Sequence, residues 1–135
     1  MKSKKTLNLI LACFLLMIAS CTSNRSPQPT RPITPFEVQG MLNNDFAIIV
    51  DVREPSERAE RIEKARPLPM SSIESNAPEL QSLLKDVAKD KTLVFCCSNN
   101  AQKAAEKIAS QGLKTAYFEN LEDWRKAGLP LTKAQ

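Results

Sequence analysis

The sequence predicts an α/β fold built on a parallel β-sheet, and two observations lead to this prediction. Residues 46–52 and 93–96 are continuous apolar runs, which are typical of strands buried on both faces, as strands of parallel sheets are. The segments between and after these runs show the spacing of apolar residues that helices have. Strands that alternate with helices of this length indicate βαβ units, in which helices cover the sheet.

The first predicted helix begins at residue 35. Thr34 and Glu37 have the spacing of a capping box, and Pro35 occupies the first helical position, where a missing N–H breaks no hydrogen bond. The apolar run at residues 46–52 then predicts the first buried strand.

The remaining elements are predicted in the same alternation. They are helices at residues 55–62 and 78–87 with a short strand at 68–70 between them, a strand at 93–96, a helix at 101–111 that ends before Gly112, a strand at 116–118 and a helical turn at 121–126. In such sheets ligands bind beyond the carboxyl ends of the strands. We therefore expect the chemistry of this protein at the turn that follows Cys96.

Residues 1–20 have the features of a secretory signal peptide, in which a basic patch precedes an apolar stretch. A membrane-spanning helix needs roughly 20 apolar residues and this stretch has about 13, so we expect cleavage after export, with an uncleaved anchor as the alternative. Residues 18–21 resemble the lipobox of bacterial lipoproteins, which implies lipidation of Cys21, for example with palmitate. Thr22, rather than Asp, resembles the pattern of lipoproteins of the outer membrane, here facing the periplasm of the cell envelope.

Cleavage after residue 20 would change the charge of the protein. The chain has 19 Lys and Arg against 15 Asp and Glu, and three of the lysines and none of the acids lie in residues 1–20. The formal charge therefore falls from +4 to about +1, so we expect no nucleic-acid partner and attachment to the membrane through lipid on Cys21. Residues 21–33 contain three prolines and predict an extended linker, with a structured arm as the alternative; residues 34–135 are the predicted folded domain.

The absence of histidine and the scarcity of glycine exclude several chemistries. A chain without His has no Ser-His-Asp triad, no Cys-His pair and no His-ligated zinc. Its three glycines, Gly40, Gly112 and Gly128, stand too far apart for a dinucleotide turn or a phosphate loop. We expect a monomer with neither a metal nor an organic cofactor.

The turn at residues 96–101 joins a predicted buried strand to a helix N-terminus. Unpaired N–H groups and the helix dipole favour negative charge there and lower the pKa of a thiol, whose thiolate is the nucleophilic form. Asn99 and Asn100 tolerate the left-handed backbone that a tight anion-binding loop requires. Cys96 is therefore a candidate nucleophile. The alternative is a structural role, because free cysteine is often buried in protein cores.

Four segments of the chain match one family pattern. Residues 49–57 read Ile-Val-Asp-Val-Arg-Glu-Pro-Ser-Glu, and residues 124–130 read Trp-Arg-Lys-Ala-Gly-Leu-Pro. The first resembles the opening signature of rhodanese-like domains, and the second resembles their closing motif. Residues 93–96 look like the strand that delivers the family's active-site cysteine, and residues 104–112 look like the helix after it. The resemblance covers residues 34–131.

This resemblance implies a rhodanese-like fold with about five strands in a mainly parallel sheet flanked by helices. It also implies a sulfurtransferase in which Cys96 takes sulfane sulfur from a small donor such as thiosulfate, holds it as a persulfide and passes it to a thiol acceptor. Backbone N–H groups of a substrate-binding loop would hold the sulfur. The residues of that loop are Cys97, Ser98, Asn99, Asn100 and Ala101.

Two loop positions depart from the family pattern and keep alternatives open. Asn99 stands where the family usually has Gly, and Ala101 stands where it often has Arg, so a bidentate contact to an anionic donor is lost. One alternative is a catalytically weak rhodanese-like domain that binds a partner or anion. Another is a thiol redox protein using Cys96 and Cys97, because export leads to a compartment where disulfides form and adjacent cysteines close a small, readily reduced ring.

Three further features are interpreted as structural. Asp51 at a strand end and Arg53 two residues later are expected to pair and to order a loop. Trp124 is expected in the core. The charges of residues 57–64 are expected on the solvated face of a helix.

Overall fold

A five-stranded parallel sheet with helices on both faces forms the centre of the computed structural model, which describes residues 26, 29–88 and 90–133. The strands are β1 Arg31–Pro32, β2 Ala47–Asp51, β3 Glu60–Ile62, β4 Arg66–Pro67, β5 Thr92–Cys96, β6 Thr115–Phe118 and β7 Leu131–Lys133. The helices are α1 Pro35–Asn43, α2 Met70–Glu74, α3 Pro78–Asp86, α4 Ala101–Ala109 and α5 Leu121–Lys126. The predicted fold class is confirmed. The predicted signal peptide and the lipidation of Cys21 lie outside the described residues.

The strand order places β5 in the middle of the sheet. The order is β1-β6-β5-β2-β4, and every pair in it is parallel. Asp51 of β2 and Phe118 of β6 are the partners of Cys96 on its two sides. The carboxyl ends of three neighbouring strands therefore meet at one edge, with Cys96 between the other two.

Successive residues of the central strands enter two different cores, because side chains alternate across a sheet. Leu93 and Phe95 pack against α2, α3 and α4 on one face. Val94 and Cys96 pack on the other face in a cluster that includes Val38 of α1 and Trp124 of α5. Both faces of β5 are thus fully covered, which explains the continuous apolar run that predicted it.

The local signals for helix starts are confirmed. The Thr34 hydroxyl accepts a hydrogen bond from the Glu37 N–H at 3.3 Å, and the Glu37 carboxylate accepts one from the Thr34 N–H at 2.9 Å. Helix α4 ends at Ala109, two residues before the predicted end, and Gly112 lies in the turn that follows, with a left-handed φ of +80° that glycine adopts at little steric cost. Helix α3 starts at Pro78 as predicted.

The helix predicted at residues 55–62 is wrong. The chain forms only a 3₁₀ turn at Pro55–Glu57 and then enters β3, which pairs antiparallel with β7. The Arg53 guanidinium donates to the backbone oxygens of Glu57 and Glu60, so those carbonyls bond to a side chain and not to a helix ladder. The charges of residues 57–64 consequently do not form a helix face.

Two boundaries also differ from the prediction, and one strand was not predicted. The linker predicted to residue 33 ends earlier, because Arg31–Pro32 pairs with β6 and Ile33 is buried in the core. The strand predicted at residues 68–70 lies two residues earlier, at Arg66–Pro67, and Met70 already begins α2. The strand β7 was not predicted, since its three residues show no clear period.

In the part of the chain that the structure describes, no helix has both the length and the apolar character required to cross a membrane.

Candidate active site

Cys96 is the last residue of the central strand and is completely buried. Its backbone oxygen accepts a hydrogen bond from the Val52 N–H at 3.3 Å, which ties it to the end of β2. Its side chain lies in the cluster that also contains Phe118 and Trp124. The rings of these two residues stack at 5.9 Å, and the indole N–H of Trp124 donates to the Pro130 oxygen at 3.0 Å. Trp124 is in the core, as predicted.

Cys97 lies on the same side of the sheet as Cys96, although neighbouring residues of a strand normally point to opposite faces. The cause is its backbone, which has φ +76° and therefore ends the strand alternation at this residue. Its N–H donates to the Phe118 oxygen at 3.2 Å, so the neighbouring strand still holds the Cys97 nitrogen while the side chain turns toward Cys96. The two sulfur atoms are joined in a disulfide. The side chains of Cys96 and Cys97 are thus covalently linked.

The loop after Cys97 leaves part of its backbone without a protein partner. The Asn100 N–H donates to the Ser98 hydroxyl at 3.2 Å, and the Ala101 N–H donates to the Ser98 oxygen at 2.9 Å. The N–H groups of Ser98, Asn99, Gln102 and Lys103 donate to no acceptor among the described residues. Of the five N–H groups predicted to hold sulfur, two are therefore available, and the first turn of α4 adds two more.

The left-handed residue of this loop is Cys97, and not Asn99 or Asn100 as the sequence had indicated. Asn100 has φ −84° and its side chain makes no capping hydrogen bond. The positive φ of Cys97 is unexpected, because residues other than Gly, Asn and Asp rarely adopt it. No feature of the sequence indicates that Cys97 adopts the left-handed conformation; it is seen only in the backbone and the contacts of the folded structure.

Ala101, which stands where the family often has Arg, has no exposed surface. It begins α4 and packs against the same core as Phe95. The nearest cation along the chain, Lys103, pairs with Glu74 at 2.6 Å, and this hydrogen bond lowers the pKa of the Glu74 carboxyl. The loop therefore offers backbone N–H groups to an anion and no uncommitted guanidinium.

The neighbouring loop, after β2, is held by Arg53. Its guanidinium binds both oxygens of Asp51, at 3.0 and 2.6 Å, and also donates to the Glu57 and Glu60 oxygens. Asp51 is almost completely buried. The predicted pairing of these residues is confirmed, and it orders the segment that leads into β3.

A charged cleft of about 460 Å³ opens beside this loop. Arg53 and Leu121 line it, and they follow the two strands that flank β5. Arg125 also lines the cleft, where hydrogen bonds to Glu60 and Glu122 raise its pKa and commit its charge to ion pairs. None of the described residues 96–101 lines this cleft, so it lies beside the Arg53 segment and does not open onto Cys96.

Comparison with known proteins agrees with this geometry. The family model for the rhodanese-like domain matches residues 34–126. An uncharacterized protein from Synechocystis sp. is 35% identical over 115 residues, which cover 82% of this chain. The chain spans 60% of the length of that relative.

Solved structures share the fold at low sequence identity. A rhodanese-related protein from Thermoplasma volcanium has a TM-score of 0.59 at 23% identity, covering 76% of this chain and 97% of its own. A thiosulfate sulfurtransferase from Pseudomonas aeruginosa has a TM-score of 0.58 at 19% identity, covering 80% of this chain and 21% of its own. By the family match and by its fold, this chain belongs to the rhodanese-like domain family.

Proposed function

We propose that this protein is a sulfurtransferase of the cell envelope that carries sulfane sulfur as a persulfide on Cys96. The observation that supports the proposal most directly is the position of this residue. Cys96 ends the central parallel strand and is followed by a loop and a helix turn in which four N–H groups find no acceptor among the described residues. That is where a parallel α/β sheet binds ligands and where a helix attracts negative charge.

The proposed reaction begins with the Cys96 thiolate and a donor such as thiosulfate. The thiolate attacks the terminal sulfur of thiosulfate, the sulfur–sulfur bond of the donor breaks, and sulfite leaves with the bonding electron pair. The persulfide that remains on Cys96 is an anion. The N–H groups of Ser98, Asn99, Gln102 and Lys103 are the donors available to stabilise it.

The same geometry makes weak donor binding an expected property of this protein. Cys96 is fully buried, and Ala101 supplies no guanidinium to bind the sulfonate part of thiosulfate. We therefore expect sulfur transfer with a high KM for thiosulfate, since the backbone donors act on the transferred sulfur more than on the rest of the donor.

Mass spectrometry of the reduced chain after exposure to thiosulfate tests the proposal. We expect one sulfite to be released per wild-type chain, and the mass of Cys97→Ser to rise by one sulfur, about 32 Da. Cys96→Ser should release no sulfite and gain no sulfur. A wild-type chain that releases no sulfite would favour a binding domain without turnover. Labelling that survives in Cys96→Ser but not in Cys97→Ser would assign the nucleophile to Cys97.

A thiol redox protein is the second candidate, and the disulfide between Cys96 and Cys97 is the observation that favours it. In this case the pair exchanges electrons with another thiol and no sulfur atom moves. Thiol counting in untreated cells tests this candidate, since both free thiols should disappear together. Complete retention of both thiols under oxidising growth would contradict it.

We also propose that lipid on Cys21 attaches the protein to the envelope membrane, because residues 18–21 resemble a lipobox after a signal peptide. Incorporation of labelled palmitate and recovery in the membrane fraction are the expected results. Cys21→Ser should lose both, whereas Cys13→Ser, within the predicted signal peptide, should keep them. A soluble wild-type protein without label would overturn this part of the proposal.

A further inference from the structure

The position of the Cys97 sulfur has no role in loading Cys96. A cysteine that only terminates the strand would point away from its neighbour, because adjacent strand residues face opposite sides. Here φ +76° brings Cys97 to the Cys96 side, and the hydrogen bond to the Phe118 oxygen holds it there. A non-glycine residue in this region carries a conformational cost, and such residues cluster at functional sites.

The burial of Cys96 also bears on the fate of its persulfide. Cys96 has no exposed surface, and Cys97 is 7% exposed. The Cys96 Sγ is therefore shielded from an external thiol, whereas the sulfur of Cys97 is already in bonding contact with it. Within the described residues, Cys97 is the thiol placed to react first with a loaded Cys96.

We infer that Cys97 is a resolving thiol that expels the transferred sulfur from Cys96 as sulfide. The inference rests on the proposed function, since it needs a persulfide on Cys96. It adds a catalytic residue, a product and a class of reductant to that function. The protein would reduce sulfane sulfur to sulfide and store the oxidation as the Cys96–Cys97 disulfide.

The step balances in atoms and electrons. The Cys97 sulfur attacks the Cys96 Sγ, the bond between Cys96 Sγ and the outer sulfur breaks, and that sulfur leaves with the electron pair. The proton of the Cys97 thiol leaves with it, so that hydrosulfide is released. The outer sulfur is reduced from the sulfane state to sulfide, and the two cysteine thiols are oxidised to the disulfide.

Each turnover then consumes one dithiol reductant. One thiol of the reductant attacks the Sγ of Cys97, the more exposed of the two residues, and releases the Cys96 thiolate. The second thiol of the reductant attacks the mixed disulfide and frees Cys97. A dithiol therefore restores both thiols and leaves as its own disulfide, which defines the class of partner reaction that must supply electrons.

The test measures two products separately. Full-length chain carrying Cys13→Ser and Cys21→Ser, so that only the vicinal pair has thiols, is reduced, freed of reductant and mixed with thiosulfate. Sulfite reports loading of Cys96, and sulfide reports resolution by Cys97. We expect one sulfite and one sulfide per chain and a final mass about 2 Da below that of the reduced chain.

Cys97→Ser in the same background is the decisive variant, and Cys97→Gly is its companion because Gly adopts positive φ without strain. Both should release one sulfite, keep the added sulfur of about 32 Da and release no sulfide. The rate of sulfide release from the chain with both thiols should be unchanged by tenfold dilution, since the reaction is intramolecular. Dithiothreitol added afterwards to the chain with both thiols should restart the release of sulfite and sulfide.

The outcomes separate the inference from the proposed function. Sulfite release with a stable added sulfur in the presence of Cys97 overturns the inference and leaves the sulfurtransferase intact. Sulfide release that persists in Cys97→Ser, or that slows in proportion to dilution, overturns it in the same way. No sulfite from any chain that has Cys96 overturns the proposed function itself.

Discussion

Two loops leave adjacent strands at the same edge of the sheet, and they differ in how their polar groups are satisfied. The Arg53 loop, residues 52–60, follows β2 and bonds the Arg53 guanidinium to a buried carboxylate and two carbonyl oxygens. The cysteine loop, residues 97–100, follows β5, and its Ser98 and Asn99 N–H groups, next in sequence to the disulfide, have no acceptor in the described part of the chain. The first loop is built to hold its shape, and the second retains the unsatisfied donors that chemistry requires.

This difference explains how similar sequence signals lead to different roles. The ionic pair at the end of β2 was expected to order a loop, and the Arg53 donors are indeed taken up by groups of the protein itself. Every residue except proline has a backbone N–H group, so the sequence does not indicate which of these groups are available to an anion. The cysteine loop, although it has fewer charged residues than the Arg53 loop, is therefore the better candidate for binding an anion.

The largest effect on stability is expected when Arg53 is replaced. Arg53→Met leaves Asp51 buried without its cation, and removal of one partner of a buried pair costs about 3 kcal/mol. Urea unfolding should show this loss, and the exposed Arg66→Met should stay within about 0.5 kcal/mol of wild type. Arg53→Met should still load sulfur under native conditions. A stable variant that fails to load would instead place Arg53 in the anion site.

The cysteine loop can be tested with a cation at two neighbouring positions. Ala101→Arg should destabilise the fold by about 2 kcal/mol, because Ala101 has no exposed surface and its site cannot hold a larger, charged side chain. Asn100 is exposed and its side chain makes no capping bond. Asn100→Arg should therefore destabilise the fold by less than about 1 kcal/mol, which is the cost of a positive charge at a helix N-terminus.

Steady-state kinetics with thiosulfate should then show a KM several-fold lower for Asn100→Arg than for wild type, since a guanidinium adds a charge-assisted contact to an anion. Asn100→Gln is the matched neutral control and should leave the KM unchanged. An Asn100→Arg variant with an unchanged KM would show that donor anions do not approach the cysteine loop from this side.

The smallest effect is expected at the ion pair of Glu74 and Lys103 beside the cysteine loop. The hydrogen bond from Lys103 lowers the pKa of Glu74, so the pair stabilises the fold above the unfolded pKa and this stabilisation is lost as the pH falls through the folded pKa. Glu74→Gln should therefore unfold at a slightly lower temperature than wild type at pH 7, and the difference should vanish once the pH is below the lowered folded pKa of Glu74.

A wild-type advantage that persists in acid would contradict this assignment. Freeing Lys103 with Glu74→Gln should also lower the KM for thiosulfate at low salt, and added salt should remove that gain because the charges are exposed. Glu79→Gln, also exposed, is the control for a general change of surface charge.

Elements with a strong local pattern could be predicted, and those fixed by distant partners could not. The capping box at Thr34 and the apolar run of β5 depend on neighbouring residues or on complete burial, so the sequence predicts them. The segment at residues 55–62 has helical spacing, but Arg53 and β7 supply bonds that a helix there would lack. Short strands such as β3 and β7 depend on each other, and neither has a period of its own.

The sequence by itself determined that a strand of a parallel sheet ends at Cys96 and is followed by a helix, because its apolar pattern shows which segments are buried and that strands alternate with helices. The tertiary structure decided which way Cys97 turns, since the Phe118 oxygen that binds its N–H belongs to another strand. It also decided that Ala101 is buried and that β3 pairs with β7. Such choices depend on the geometry of groups distant in sequence, which no local pattern records.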